Sequence, residues 1–239
     1  MFKNDIMISI ICVTYNAEDL IEVTLKSILY QTYTNYELIV IDGSSTDKTL
    51  DLINHFYKGK LKIISEPDYG IYDAMNKGID LANGDWIYFL NAGDTFTGPD
   101  ILARIFSQSL DGSLLFGDTL LKTDNKVVSC PSKLDKLFFF SNTICLHSIF
   151  INKKVFDDIG YFDLHYKVIS DRDFLIRAFL KGCSFQHINS VVSIYDQEGF
   201  SAQNHNLYLQ EQKYFRKTYF TFIDILKYSF LKISFLNNL

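Results

Sequence analysis

Four short clusters of carboxylates, hydroxyls and amides recur through the first hundred residues: Thr14-Tyr15-Asn16, Asp42-Gly43-Ser44-Ser45, Glu66-Pro67-Asp68 and Asn91-Ala92-Gly93-Asp94. A fifth polar cluster, Ser170-Asp171-Arg172-Asp173-Phe174, stands in the second half, and His147 precedes the apolar run Ser148–Asn152 between them. Groups of this kind can accept hydrogen bonds from a heterocycle, hold a hard divalent cation, or take a proton from a hydroxyl. Taken singly, Asp42 or Asp94 reads more readily as a turn former or helix cap than as a ligand contact. Their joint occurrence is what points to a site. Two common phosphate-binding patterns are absent, GxGxxG after the first apolar run and GxxxxGK[ST] anywhere, so a dinucleotide site and a P-loop are both disfavoured.

The first four clusters each follow an apolar run of strand type. Met7–Thr14 is an apolar run rich in β-branched residues, the composition of a strand buried on both faces, and Glu37–Ile41, Leu61–Ile64 and Trp86–Leu90 follow it. Between them lie helical patterns at Glu18–Gln31, from about Thr46, and at Ile71–Ala82, the last closed by Asn83-Gly84. Strand and helix alternating in this way predict an α/β fold with a mostly parallel, Rossmann-like sheet flanked by helices. In such a sheet ligands bind beyond the carboxyl ends of the strands, where the polar clusters fall. The second half is less regular. It predicts helices over Pro99–Ser109, Lys153–Ile159 and Asp171–Leu180, the last stopped by Gly182, and short strands at Leu114–Phe116, Lys126–Ser129, Ser148–Asn152 and within Ser184–Tyr195.

Composition narrows the partners. A formal net charge of −5 over 239 residues, with no basic run interleaved with aromatics in the first two hundred, disfavours nucleic acid. The four cysteines are scattered without a CxxC, as expected of free thiols in a reducing, cytoplasmic setting. No signal peptide is visible at Met1–Asp5, and the longest uncharged stretch, Leu137–Asn152, falls short of the roughly 20 apolar residues that a membrane span requires. From about residue 206 the chain turns basic and aromatic: Lys213–Leu239 carries Lys213, Arg216, Lys217, Lys227 and Lys232 against Asp224 alone. That composition suits either a segment lying in a membrane interface or a helix pair packed on the preceding domain.

Five blocks, in order, match a known family: Ile11–Ala17, Ile41–Thr49, Gly70–Gly78 (GIYDAMNKG), Gly84–Ile87 and Phe89–Asp94 (FLNAGD). Together they resemble the GT-A fold, family 2 glycosyltransferases, over roughly residues 6–203. Ser65–Gly78 and Tyr166–Asp171 look most like the branch that builds bacterial exopolysaccharide and O-antigen repeat units. The resemblance implies a catalytic domain over 1–205, with a nucleotide-binding half of about 1–98 and an acceptor half of about 99–205, followed by a helical tail over 206–239. It implies that Thr14, Tyr15 and Asn16 line a nucleoside pocket, that Asp42 bonds the base, and that Ser44 and Asn91 stand on the donor side. Asp73 and Lys77 would lie near ribose and phosphates, although at i, i+4 they also make an ordinary surface pair. Asn91–Asp94 occupies the place of the family's metal-binding DxD. Only Asp94 is a carboxylate there, so a Mn2+ or Mg2+ cofactor would bind together with the donor phosphates.

An inverting transfer needs one general base to take the acceptor proton. The resemblance assigns it to Asp171, with Asp173 as alternate, while Ser170-Asp171 before an apolar run is also a helix N-cap signature. His147 matches a family histidine near the donor sugar or acceptor and is equally suited to a structural role. Gly199-Phe200-Ser201 resembles a loop that closes over the donor. The expected partners are a nucleotide diphosphate-sugar and a glycan acceptor, lipid-linked and met at the cytoplasmic face of the inner membrane. Two other readings stay open: a non-catalytic sugar-nucleotide or glycan binding protein, favoured by the reduced DxD, and a nucleotidyltransferase, disfavoured because Thr14–Asp19 carries no Lys or Arg to grip a triphosphate.

Overall fold

The first apolar run becomes the centre of a sheet because it can be buried on both faces. In the computed structural model, which describes residues 6–196 and 204–236 with side chains up to residue 230, all of β1 (Ile8–Thr14) is buried. It is flanked in parallel by β2 (Tyr36–Asp42) and β4 (Trp86–Phe89), and β3 (Leu61–Ser65) lies outside β2. The crossovers are α1 (Ile21–Leu29), α2 (Thr49–Phe56) and α3 (Ile71–Leu81). In register, Thr14 faces Asp42 and Asp42 faces Ser65, so the strand ends share one edge. The spatial order β3-β2-β1-β4 turns about β1, which opens a crevice over β1 and β4.

The second half extends the same sheet. After β5 (Thr95–Phe96) and α4 (Ile101–Phe106) come β6 (Leu114–Leu121), β7 (Lys126–Val128) and the short helix α5 (Phe138–Ser141). A 3-10 turn at Leu146–Ser148 leads into β8 (Ile149–Asn152), followed by α6 (Lys154–Ile159), α7 (Ser170–Lys181) and β9 (Phe185–Tyr195). Strand β8 runs antiparallel between β4 and β6 and joins the two halves into a nine-stranded sheet, while β9 pairs β6 in parallel. The four consecutive strands of the first half are thus parallel, and the second half mixes directions. Strand β6 extends five residues beyond the predicted Leu114–Phe116, through a bulge at Gly117, where a Cβ would sit 2.5 Å from the Ser190 carbonyl oxygen. Helix α7 ends at Gly182, whose φ of 86° is the left-handed cap that glycine supplies freely.

Two apolar cores cover the sheet. One packs Ile8, Ile10 and Val40 beneath α1, α2 and α4; the other packs Ile11, Phe116 and Phe174 beneath α3, α6 and α7. Phe215 and Phe220 belong to the second core, although they lie beyond residue 205. They are brought there by α8 (His205–Tyr219), whose Arg216 donates to the Phe140 carbonyl at 3.0 Å and whose Phe215 ring lies 4.8 Å under the Arg172 guanidinium. The last helix, α9 (Phe222–Leu236), is held by the Lys136–Asp224 pair at 2.7 Å and by Tyr228 packed on Phe140. It leaves Phe222 and Phe230 about 70% exposed. Among the described residues no helix is long and apolar enough to cross a membrane. The four cysteines are free. Met1–Asp5 and the predicted Gly199–Ser201 loop lie outside the described residues.

Candidate active site

The loops after β1 and β2 are stitched to each other before any ligand is considered. Asn16, at a φ of 44°, donates its amide to Ser45 Oγ at 2.8 Å and accepts the Thr46 amide on Oδ1 at 2.8 Å. The Glu18 amide reaches Asp47 at 3.0 Å and the Lys48 amide returns to Glu18 at 2.9 Å. Asp42 is fully buried, and its carboxylate accepts the Ser45 amide at 2.9 Å, the Ser45 hydroxyl, and Ser65 Oγ at 2.6 Å. Its hydrogen bonding is thus directed inward, to the loop that includes Ser44 at a φ of 63°. Beside it stands Asp68 of the Glu66-Pro67-Asp68 cluster, half-buried, its Oδ1 accepting the Gly70 amide at 2.8 Å. A Cβ at Gly43 would stand 2.8 Å from Asp68 Oδ2 and 3.4 Å from the Tyr15 ring. Gly43 is therefore in close contact with both the Asp68 carboxylate and the 64% exposed Tyr15, with no room for a side chain of its own. The buried Thr14 hydroxyl, at the end of β1, has no partner.

Asp73 and Lys77 brace the neighbouring loop. Asp73 accepts the Tyr69 amide at 3.0 Å, while Lys77 pairs with Glu66 at 2.8 Å and donates to the Pro67 carbonyl at 3.0 Å. The Glu66 contact is the main reason the Lys77 ammonium titrates above its ordinary value.

A cavity of about 620 Å3 lies beside this edge and receives side chains from both halves of the chain, among them Asn91, Asp94, His147, Asp171, Arg172 and Tyr195. The Asn91–Asp94 turn is set by Gly93 at a φ of 99° and by Thr24 of α1, whose buried hydroxyl accepts the Gly93 amide at 2.9 Å and donates to the Asp94 carbonyl at 2.8 Å. Nothing in the sequence marks Thr24, one hydroxyl on an apolar helix stripe. Asp94 is 4% exposed; its Oδ1 accepts the Asp196 amide at 2.9 Å and its Oδ2 lies 3.4 Å from His147 Nε2. Burial raises the Asp94 pKa, and His147 opposes the rise. His147 stacks on Tyr195 at 5.4 Å, and its Nδ1 is buried without a partner, as is Asn91 Oδ1.

Asp171 enters the same cavity at the start of α7. Burial raises its pKa, chiefly against a hydrogen bond from Tyr72 at 2.9 Å. Asp173, two residues on, is not brought to the cavity: it is buried against the tail, accepting Tyr219 Oη at 2.6 Å and Arg177 Nε at 2.7 Å. Helical geometry separates the two, because side chains two positions apart leave different faces.

Among the described residues no three His, Cys, Asp or Glu side chains converge as a ready metal cage. A buried carboxylate at Asp94 and an unpartnered carbonyl at Asn91 Oδ1 do stand in one turn on one cavity. An all-oxygen pair of this kind fits Mg2+ or Mn2+, which keep most of their ligands as phosphate oxygens and water.

A parallel half-sheet with its crevice over β1 and β4, continued by an antiparallel-linked half that adds acids to the same cavity, defines the class: a GT-A glycosyltransferase fold. Residues 9–110 match the family described as Glycosyl transferase family 2. Over 200 residues the chain is 38% identical to the PGL/p-HBAD biosynthesis glycosyltransferase of Mycobacterium bovis, covering 81% of this chain and 78% of that protein. The chain belongs to glycosyl transferase family 2. It is also 31% identical over 136 residues to the UDP-Glc:alpha-D-GlcNAc-diphosphoundecaprenol beta-1,3-glucosyltransferase WfgD of Escherichia coli, covering 55% of this chain and 54% of WfgD. In fold it is similar to Staphylococcus aureus TarS 1–349 in complex with UDP-GlcNAc, with a TM-score of 0.70 and 21% identity, covering 83% of this chain and 61% of that one.

Proposed function

We propose that this family 2 glycosyltransferase is an inverting enzyme that moves a sugar from a nucleoside diphosphate-sugar to a hydroxyl of a lipid-linked glycan in bacterial surface polysaccharide synthesis. The observation that carries the reading is the meeting of Asp94 and Asp171, from opposite halves of the chain, on one cavity. UDP-sugars in the names of WfgD and of the TarS complex support a UDP donor, and the diphosphoundecaprenol of WfgD supports a lipid carrier. The peripheral, cytoplasmic-face setting follows from that carrier and from the basic, aromatic tail.

In this reading the base lies against the exposed Tyr15 ring near Asp68, with Asp42 holding the loop beneath it. The Thr14 hydroxyl and the Asn91 carbonyl, both buried without partners, face donor groups. Asp94, with Asn91 Oδ1, would hold a divalent cation, whose contribution when bound is to neutralise the diphosphate. Asp171 takes the acceptor proton as the acceptor oxygen bonds the anomeric carbon and the sugar–diphosphate bond breaks, the electron pair leaving with the diphosphate. A raised carboxyl pKa suits that role, since the base must hold the proton once taken.

The test is transfer with a panel of sugar nucleotides, preceded by thermal-shift screening with and without Mn2+ to find the donor. Asp171→Asn is expected to keep donor affinity and lower turnover by about 10²–10⁴. Unchanged turnover would remove Asp171 as base, and a stabilising sugar nucleotide that is neither transferred nor hydrolysed in Mn2+ would favour the non-catalytic reading.

A further inference from the structure

Tyr72 belongs to α3, in the nucleotide half, yet its hydroxyl reaches the acceptor half. Its Oη lies 2.9 Å from Asp171 Oδ1 and 2.9 Å from the Val168 carbonyl oxygen. A phenol has one proton to donate, so it serves one of these acceptors at a time. With Asp171 ionised, that proton points to the carboxylate. With Asp171 protonated, the acid donates to Tyr72 Oη and the phenol proton turns to the Val168 carbonyl. Neither arrangement leaves a buried donor unpaired. The ring is buried against Phe162 at 5.4 Å, and burial, with the Asp171 charge, holds the hydroxyl well above its ordinary pKa, so it remains a donor throughout.

The second acceptor is itself held in place. Glu211 of α8 takes the amides of Lys167, Val168 and Ile169 at 2.6, 2.9 and 3.2 Å, and its carboxylate fixes the peptide to which the Val168 carbonyl belongs. The carbonyl therefore cannot swing away when Asp171 claims the phenol proton.

We propose that Tyr72 is a positioning residue for the base: a one-proton switch that donates to Asp171 while it is ionised and to the Val168 carbonyl once Asp171 has taken the acceptor proton. The proposal rests on the reading of Asp171 as base. The transferred proton ends on Asp171 and Tyr72 keeps its own, so the balance of the transfer step is unchanged. The other groups facing Asp171 are His147, Arg172, Tyr195 and Cys145, and Glu211 acts on Tyr72. All of them remain when only the Tyr72 hydroxyl is altered.

The experiment is the pH profile of kcat/KM for the acceptor, measured with donor saturating. A hydrogen bond to the charged form lowers a carboxyl pKa, so removing it in Tyr72→Phe moves the acidic limb to higher pH by about one unit. Activity on that limb falls about tenfold, while the donor KM stays within about twofold. Replacing Tyr72 with 3-fluorotyrosine keeps every heavy atom, strengthens the donor, and moves the limb to lower pH; it carries the test alone if Tyr72→Phe does not fold. A limb that stays in place with 3-fluorotyrosine, or in a folded Tyr72→Phe, overturns the switch. Asp171→Asn separates the two failures: full turnover there removes the base itself, whereas lost turnover with an immobile limb in the Tyr72 variants removes only the switch.

Discussion

Glu211→Gln tests how far the tail holds the segment 167–169 that leads into α7. The carboxylate is 8% exposed and accepts three consecutive amides, Lys167 on Oε1 and Val168 and Ile169 on Oε2. A glutamine of the same shape keeps one oxygen. Its better orientation leaves that oxygen on Val168 and Ile169 and turns the amide NH2 against the Lys167 N–H, a donor facing a donor. The variant thus loses one hydrogen bond to a charged acceptor outright and weakens two more. At about 1.5–3 kcal/mol for a bond to a charged group, the cost is on the order of 2–4 kcal/mol. For a chain of this size that corresponds to roughly 5–15 °C in melting temperature. Scanning calorimetry measures it, and hydrogen exchange at residues 167–169 locates it. A melting temperature within about 1 °C of the parent, with exchange unchanged, would refute the role given to the clasp.

Two further outcomes follow from the same geometry. Asp94 is raised by burial, and a carboxyl whose folded pKa is raised contributes stability that is full below its unfolded pKa and lost as pH rises through the folded one. Asp94→Asn should therefore raise the melting temperature near neutral pH in chelator, with the gain vanishing below about pH 4, while transfer is lost; an unchanged melting temperature at pH 7 would contradict the account of its burial. The outward side chains Phe222, Ile223 and Phe230 of α9, with Lys227 beside them, should carry the protein onto anionic liposomes at low salt, each basic residue near the surface adding on the order of 1 kcal/mol. Equal sedimentation of the parent and a Phe222→Ser/Phe230→Ser variant would exclude α9 as the contact.

How much of this was legible in the sequence depended on how local the cause was. The first four strands, their crossover helices and the Gly182 stop are written in local periodicity and in one glycine, and they stand where expected within a few residues. The direction of β8 is not local: its apolar run Ile149–Asn152 suits either direction, and only its partners β4 and β6 make it antiparallel. Strand β5, two residues long, and α5, a single turn of Phe138–Ser141, are too short to show a period. In the site, Asp94 and Asp171 could be marked because acids after strand ends and at helix starts are conspicuous. Asp42 was equally conspicuous, but whether its oxygens face outward depends on Ser65, 23 residues away. Asp68 stands in a marked cluster but has no role assigned by sequence, and Thr24 and Tyr72 go unmarked, because a helix threonine and a helix tyrosine carry no signal until the folded chain supplies their partners.

The tail was open to two readings, a membrane-facing segment or a packed helix pair, and its helices divide the evidence between them. Helix α8 is structural in the strict sense: Phe215 completes an apolar core, Glu211 ties down residues 167–169, and Tyr219 takes up Asp173. That last contact also accounts for the difference between the two acids of the Ser170–Phe174 cluster. With Asp173 committed to Arg177 and Tyr219, Asp171 is the acid of that cluster that lines the cavity. Helix α9 is held more lightly, through Lys136–Asp224 and Tyr228 on Phe140, and turns Phe222, Ile223, Ile225, Leu226 and Phe230 outward. Since Phe140 is also the residue whose carbonyl anchors Arg216, the outward helix and the helix that clasps residues 167–169 are fastened to the same short segment, α5. A surface met by α9 would therefore be met by a body already joined, through α5 and α8, to the segment that leads into Asp171.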